Sequence, residues 1–123
     1  MLFAADTALR PLLTRGFAPE FAVAVDPQAT NARHFHALPA CPETWLVSET
    51  SIDPSVVRPF GRRAFWFRVA NHEPWSWYHE LGVDVGQVDV WGSVLTAAFQ
   101  VAVLAGCDPI VIVGADLSFT GGR

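Results

Sequence analysis

The chain has no lysine; all eight of its basic residues are arginines. That excludes a P-loop lysine and a Schiff-base lysine within it. Arginine suits bidentate recognition of phosphate or carboxylate, although a GC-rich coding sequence explains the same bias without any function. Cysteine is scarce: Cys41 and Cys107 stand far apart with no C-x-x-C spacing. Two reduced thiols of a cytoplasmic protein are the expectation. The N-terminus has no basic stretch leading into an apolar one, so no signal peptide is expected. No apolar run is long enough to span a bilayer; the longest, Ala97 to Gly106, is broken by Gln100. Charge is sparse too, at 16% of residues and a net −4, and the only basic pair is Arg62-Arg63. This balance argues against a nucleic-acid or membrane-surface binder. His34, His36, His72 and His79 match no zinc spacing, no G-x-S-x-G elbow occurs, and no G-x-G-x-x-G follows the first apolar run.

What is present is apolar: 51% of 123 residues are hydrophobic. A chain of this length makes one domain that buries roughly two-thirds of its unfolded surface. It is too apolar for disorder, and the balance suits elements buried on both faces, as in parallel sheets. Met1–Ala5 reads as the end of a strand. A helix follows, capped by Asp6 or Thr7, running to about Arg15 with Leu9, Leu12 and Leu13 on one face and Gly16 as its stop. Phe21–Val25 is a buried-strand run closed by Asp26-Pro27, completing a strand–helix–strand unit. Asn31 could cap a short helix over 32–38. Trp45–Val47 and Ala64–Phe67 read as strands, and Asp53-Pro54 as an N-cap with proline at N1. The aromatic stretch from Asn71 to Gly92 reads as a lid or insertion. Its aromatics could stack on a flat heterocycle, or simply cover the sheet, which is the favoured reading. Ser93 caps a helix from about Val94 to Ala105, apolar nearly all round and so expected to be buried. Ile110–Val113 is the strongest strand signal, leading into a glycine-rich loop.

The expected fold is therefore α/β with a mainly parallel sheet. Phe21–Val25 and Ile110–Val113 should be central, and Leu9, Leu13, Val23, Val25, Val94, Ala98, Val101, Ala102, Ile110 and Ile112 should form the core. Because the chain opens within a strand and stops within a loop, residues 1–123 are expected to be a single domain incomplete at both ends, a fragment of a larger one.

In open α/β sheets ligands bind beyond the carboxyl ends of the strands. That rule selects Asp6-Thr7, Asp26-Pro27 and the loop Gly114–Gly122, and would bring Asp6, Asp26 and Asp116 to one edge. Clustered carboxylates suit Mg²⁺, which takes a few carboxylates along with substrate phosphates. Competing structural readings are a helix cap for Asp6, which is favoured there, and an Asx turn for Asp26. Gly92-Ser93 at a helix start offers backbone N–H groups to an anion, or is an ordinary cap. Asp116, leaving a buried strand into a glycine-rich loop, is favoured as functional.

Two stretches resemble one family. Ala5-Asp6-Thr7-Ala8-Leu9-Arg10, Gly16-Phe17-Ala18-Pro19-Glu20-Phe21 and Val25-Asp26-Pro27 are similar to its opening pattern. Gly92-Ser93-Val94, Ala105-Gly106-Cys107-Asp108-Pro109-Ile110 and Gly114-Ala115-Asp116-Leu117-Ser118-Phe119-Thr120-Gly121-Gly122 are similar to its closing one. The family groups archaeal-type 6-hydroxymethyl-dihydropterin diphosphokinases with bacterial motility-associated-factor proteins implicated in flagellin glycosylation. The resemblance implies a Rossmann-like three-layer sandwich. It implies either diphosphate transfer from ATP with Mg²⁺, or glycosyl transfer from a CMP-activated nonulosonic acid to a small-molecule or protein acceptor. By motif, Asp26 and Asp116 become the catalytic and Mg²⁺-binding carboxylates. Asp6, Thr7, Gly92, Ser93, Ser118, Thr120, Gly121 and Gly122 become phosphate or ligand contacts. A Gly-Pro-Ser-type segment that precedes the family's first strand has no counterpart here, so part of the phosphate site is expected outside this chain. A homo-oligomer is compatible with the family. A noncatalytic binding or scaffold domain of the same fold is the reading from another class.

Overall fold

The computed structural model describes residues 1–70 and 80–115 of the chain. Five strands form one sheet: β1 (Phe3–Ala5), β2 (Phe21–Ala24), β3 (Trp45–Glu49), β4 (Ala64–Val69) and β5 (Gly86–Val88). Every pairing is parallel and the strands lie in chain order, β1-β2-β3-β4-β5. The register runs level across the sheet, with Ala5 opposite Val23, Val23 opposite Val47 and Val47 opposite Phe65. Helices α1 (Asp6–Thr14), α2 (Pro54–Val57) and α3 (Val94–Leu104) accompany it.

Side-chain alternation along each strand sorts the core into two layers, because successive residues of a strand face opposite sides of the sheet. Ala22, Ala24 and Leu46 point one way, onto Leu9 of α1 and Val56 of α2, with Phe35 and Phe60 closing that layer edge to face at 6.2 Å. Val23, Val47, Phe67, Val69 and Val88 point the other way, beneath Ala97 and Ala98 of α3. Helices therefore cover both faces of a parallel sheet, giving the α/β, Rossmann-like three-layer arrangement expected from its apolar strands.

The helix ends follow from local chemistry. Gly16 adopts φ +83°, which suits glycine, and the N–H groups of Arg15, Gly16 and Phe17 bond back to Leu12 and Leu13 carbonyls. Pro54 sits at the start of α2, and the Asp53 carboxylate accepts from the Ser55 N–H at 2.8 Å. At α3 the Ser93 hydroxyl accepts from the Thr96 N–H at 3.3 Å. Among the described residues no helix is long and apolar enough to cross a membrane.

Four sequence expectations are corrected. Ile110–Val113 is not a strand: it has no ladder partner among the described residues, and Val111, Ile112 and Val113 are exposed by 80%, 49% and 87%. β-Propensity in a short run reports fitness for a sheet, and without a ladder it makes no strand. Helix α3 is buried on one face only. Ala97, Ala98 and Ala102 meet the sheet side, while Phe99, Val103 and Leu104 face solvent, since a single helix over a sheet has just one side to bury. β5 lies within the stretch read as an insertion; Gly86-Gln87-Val88 has one buried side chain and no alternating pattern to betray it. Asn31 does not cap a helix over 32–38. It opens a short 3-10 turn (Asn31–His34), and its side chain reaches elsewhere.

Of the expected core, Leu9, Val23, Ala98 and Ala102 are buried, and Leu13, Val25, Val94 and Val101 pack half-buried against the two layers. Phe21–Ala24 is an interior parallel strand, as expected.

Candidate functional site

The parallel strands all point their carboxyl ends to one edge, where the chain leaves β1 at Asp6, β2 at Asp26 and β3 at Glu49. Asp6 is only 4% exposed. The N-cap of α1 is Ala5, in extended conformation, and no side chain caps that helix. Asp6 is instead the first helical residue: one carboxylate oxygen accepts from the Thr7 N–H at 2.7 Å and the other from the Asn31 side-chain amide at 2.9 Å. The cap expected of Asp6 or Thr7 is thus corrected. Asp6 ties the start of α1 to the loop after β2.

Asp26 is half-buried and its Oδ1 accepts from the Gln28 N–H at 2.9 Å, the hydrogen bond of an Asx turn. Glu49 was not singled out by sequence. It is 3% exposed, and its carboxylate gathers the Thr50 hydroxyl at 3.0 Å, the Ser51 N–H at 2.6 Å and the Ser51 hydroxyl. These bonds fold the chain sharply back as it leaves β3. The signal that could have found Glu49 is a polar residue just past an apolar run at the carboxyl edge; Asn31, preceded by Asp26-Pro27-Gln28-Ala29-Thr30, carries no such signal.

A cavity of about 970 Å³ opens along the outer side of β1. Ala5, Asp6, Thr7 and Ala8 line its end at the carboxyl edge of β1, and Gly114 and Ala115 are also among its lining residues. Pro11 and Leu12 of α1 line one flank, and Val94, Ala98 and Ala102 of α3 the other. The small side chains at the Asp6 end let a ligand approach the first turn of α1, where backbone N–H groups lack intrahelical partners. Gly92 and Ser93 do not line this cavity. At α3 the Ser93 hydroxyl already serves the Thr96 N–H, and ahead of the helix the Thr96 hydroxyl accepts from the Trp91 N–H at 3.1 Å. Asp26 does not line it either. A second cavity, of about 500 Å³, lies on the α2 side between Thr50, Ile52, Arg58 and Trp66.

Asp116, Ser118, Thr120, Gly121 and Gly122 lie outside the described residues, as do His72, Trp75, Trp77, Tyr78 and His79. Among the described residues no three His, Cys, Asp or Glu side chains are grouped to hold a metal ion. Toward Mg²⁺ the described part of the carboxyl edge offers one half-buried carboxylate, Asp26. This ion needs only one or two carboxylates when phosphates complete its shell, and half-buried Asp26 can supply one. Asp6 is a poorer donor, because both of its oxygens already accept hydrogen bonds in a closed setting.

Glu20, Asp53 and Cys41, whose pKa values are displaced, do not themselves line the cavity, although Glu20 bonds to Leu2, which does. Hydrogen bonding from the Leu2 N–H holds the Glu20 carboxyl below the usual range, and the Ser55 hydroxyl and N–H do the same for Asp53. Burial pushes the Cys41 thiol up.

A family model described as 6-hydroxymethylpterin diphosphokinase MptE-like matches residues 1–122. No curated protein matches the chain, and no solved structure does.

Proposed function

The chain belongs to the 6-hydroxymethylpterin diphosphokinase MptE-like family, and from that premise we propose that it is a nucleotide-binding transferase domain of the diphosphokinase kind, acting on ATP and a hydroxymethyl-pterin-like acceptor. The observation that carries the reading is the cavity along β1, whose lining includes Asp6 and Thr7 at the carboxyl end of that strand as well as Gly114 and Ala115. Ligands of open α/β sheets bind at that edge. Small side chains there allow the close backbone approach a diphosphate needs.

In this proposal the first turn of α1 and the Thr7 hydroxyl bind phosphate oxygens. Asp6, clamped by Asn31, fixes the height of that turn and does not itself bind phosphate, since two anions would repel. Asp26 and Asp116 are the residues that would hold Mg²⁺, which supplies charge neutralisation on the phosphates when bound. The acceptor hydroxyl oxygen attacks the β-phosphorus of ATP. A new P–O bond forms there, the bond from that phosphorus to the bridging oxygen breaks, AMP leaves with the bond's electron pair, and the hydroxyl proton passes to a carboxylate at the edge and on to water. In-line phosphoryl chemistry of this type asks the protein mainly for positioning and electrostatic support.

The test offers the full chain ATP, Mg²⁺ and 6-hydroxymethyl-dihydropterin in one reaction and a CMP-activated nonulosonic acid in another. Release of AMP with diphosphorylated pterin supports the reading. Release of CMP in the second reaction overturns it in favour of glycosyl transfer. Absence of nucleotide binding by calorimetry, with and without Mg²⁺, overturns it in favour of a noncatalytic domain.

A further inference from the structure

The second cavity is built differently from the one along β1, and the two share no lining residue. Its floor is the sheet face that α2 covers only in part. Ala64 packs into the layer beneath α2, and Trp66, two residues on, faces the same side. Trp66 lies level with Ser48 of β3, and Thr50 follows at the carboxyl end of that strand. Helix α2 is four residues long, too short to roof both strands. The Trp66 indole is therefore 40% exposed within a recess of about 500 Å³, a size common among small-molecule sites.

Three lining groups define what fits. Trp66 has no aromatic partner among the described residues, whereas Trp45 and Phe65 stack on each other. Its ring offers a flat apolar surface for stacking. Arg58, at the end of α2, is exposed and is the only charged residue of the lining among the described residues. The neighbouring carboxylates are engaged elsewhere: Asp53 accepts from Ser55, and Glu49 from Thr50 and Ser51. An anion in the recess thus meets a guanidinium, which binds carboxylate or phosphate well. Thr50 adds polarity of one kind. Its hydroxyl proton goes to the Glu49 carboxylate at 3.0 Å, so the oxygen has only lone pairs left to offer and accepts. Ile52, Pro54 and Val57 complete an apolar wall.

We infer that this recess binds a flat nitrogen heterocycle carrying an anionic arm. The ring stacks on Trp66, a ring N–H donates to the Thr50 hydroxyl oxygen, and the anion pairs with Arg58. A nucleotide and a diphosphorylated pterin share this chemistry. The site stands without the function proposed above; only the second of these occupants rests on that reading.

The experiment is calorimetry on the full chain with GMP and with 6-hydroxymethylpterin diphosphate, and with guanosine and 6-hydroxymethylpterin as their uncharged counterparts. At least one anionic probe should bind, about tenfold tighter than its counterpart. Trp66→Leu, which keeps an apolar cover on the sheet, should weaken that binding about tenfold through lost stacking. Arg58→Gln should bring the charged and uncharged probes to within about threefold of each other. Arg58 is exposed, so this variant keeps the fold and decides the matter if Trp66→Leu melts early. The tighter of the two anionic probes identifies the occupant. Failure of both to bind overturns the site, as does binding that both variants leave unchanged. Binding that Thr7→Ala weakens and they do not belongs to the cavity along β1; that result overturns this inference and leaves the proposed function standing. A failed diphosphate-transfer assay alongside GMP binding that responds to both variants supports the recess and counts only against the transferase reading.

Discussion

Asn31 donates its side-chain amide to the Asp6 carboxylate at 2.9 Å, across 25 residues of chain, and both residues are buried. The bond joins the first turn of α1 to the 3-10 turn after β2. Arg10 repeats the connection one layer out, donating to the carbonyls of Arg33 and His36. Asn31→Ala strands a buried carboxylate with one partner fewer. It should cost about 1–3 kcal/mol, the range for a buried polar group left unsatisfied. Urea denaturation checks it; a loss below about 0.5 kcal/mol would mean that water replaces the amide.

Glu49 predicts a similar contrast. Glu49→Ala removes the acceptor for Thr50 and Ser51 at the end of β3 and should destabilise by about 1–3 kcal/mol. Glu43 is exposed and makes no such bonds among the described contacts, so Glu43→Ala should change stability by less than about 0.5 kcal/mol. Thermal unfolding of the pair reads the difference.

Thiol labelling separates the two cysteines. Cys41 is buried and burial raises its pKa, which lowers the thiolate fraction; Cys107 is partly exposed. An aromatic disulfide reagent at neutral pH should label Cys107 at least tenfold faster. Equal rates would show that the layer around Cys41 opens readily.

The pH dependence has a definite sign. Glu20 is held below its usual pKa chiefly by the Leu2 N–H, its bond measuring 2.7 Å. A depressed carboxyl contributes stability that is present above its unfolded pKa and lost as pH falls through the folded value. Glu20→Gln should therefore be slightly less stable near neutrality, and its stability should fall less steeply in the acid range below the ordinary carboxylate pKa. Because Glu20 is exposed the effect is small. Denaturation midpoints at a series of pH values measure it, and parallel curves for the two proteins would refute it.

Asp26 offers the functional variant that spares the fold. Asp26→Asn keeps the oxygen that accepts from Gln28 and removes only the charge. It should weaken Mg²⁺-dependent nucleotide binding by about tenfold, roughly one charge-assisted contact, with stability within about 0.5 kcal/mol of the parent. Asp116→Asn should behave alike. Calorimetry and a melting curve on the same sample decide; an unchanged affinity in both variants would remove these carboxylates from the site.

Much of this architecture could be read from the sequence where a local rule and the tertiary environment agreed. Asp53-Pro54 announced α2, Ser93 announced α3 and Gly16 ended α1, each by a cap chemistry that acts within one turn. Phe21–Ala24 was plain because an interior parallel strand is apolar on both faces. The failures fell where the deciding partner is distant. Ile110–Val113 has every intrinsic preference for a strand, but a strand exists only with a neighbour. β5 has almost no intrinsic preference and is a strand because β4 holds it. Asp6 was weighed as a cap or a functional carboxylate; that Asn31 fixes it depends on a contact no spacing rule predicts. Asp6, Thr7 and Gly114 are among the lining residues of one cavity, whereas Asp26, Gly92 and Ser93 sit outside its lining.

The strictly sequential strand order also bears on how the protein is made. Each of β2 to β5 hydrogen-bonds to the strand that left the ribosome just before it, so a growing chain can add to a sheet that is already in place. Each closure spans a single crossover, as from Phe3 to Phe21 or from Phe21 to Trp45, and so is shorter than a non-sequential order of the same strands would need, and segments emerge N-terminal first. Among the described elements α3 alone reaches back, from β5 to β1, and it can do so only when the whole sheet exists to receive it. Truncation after β4 should thus leave a nascent sheet with the Val23 and Val47 face uncovered. Helix α3 acts as a lock, applied once synthesis has passed it.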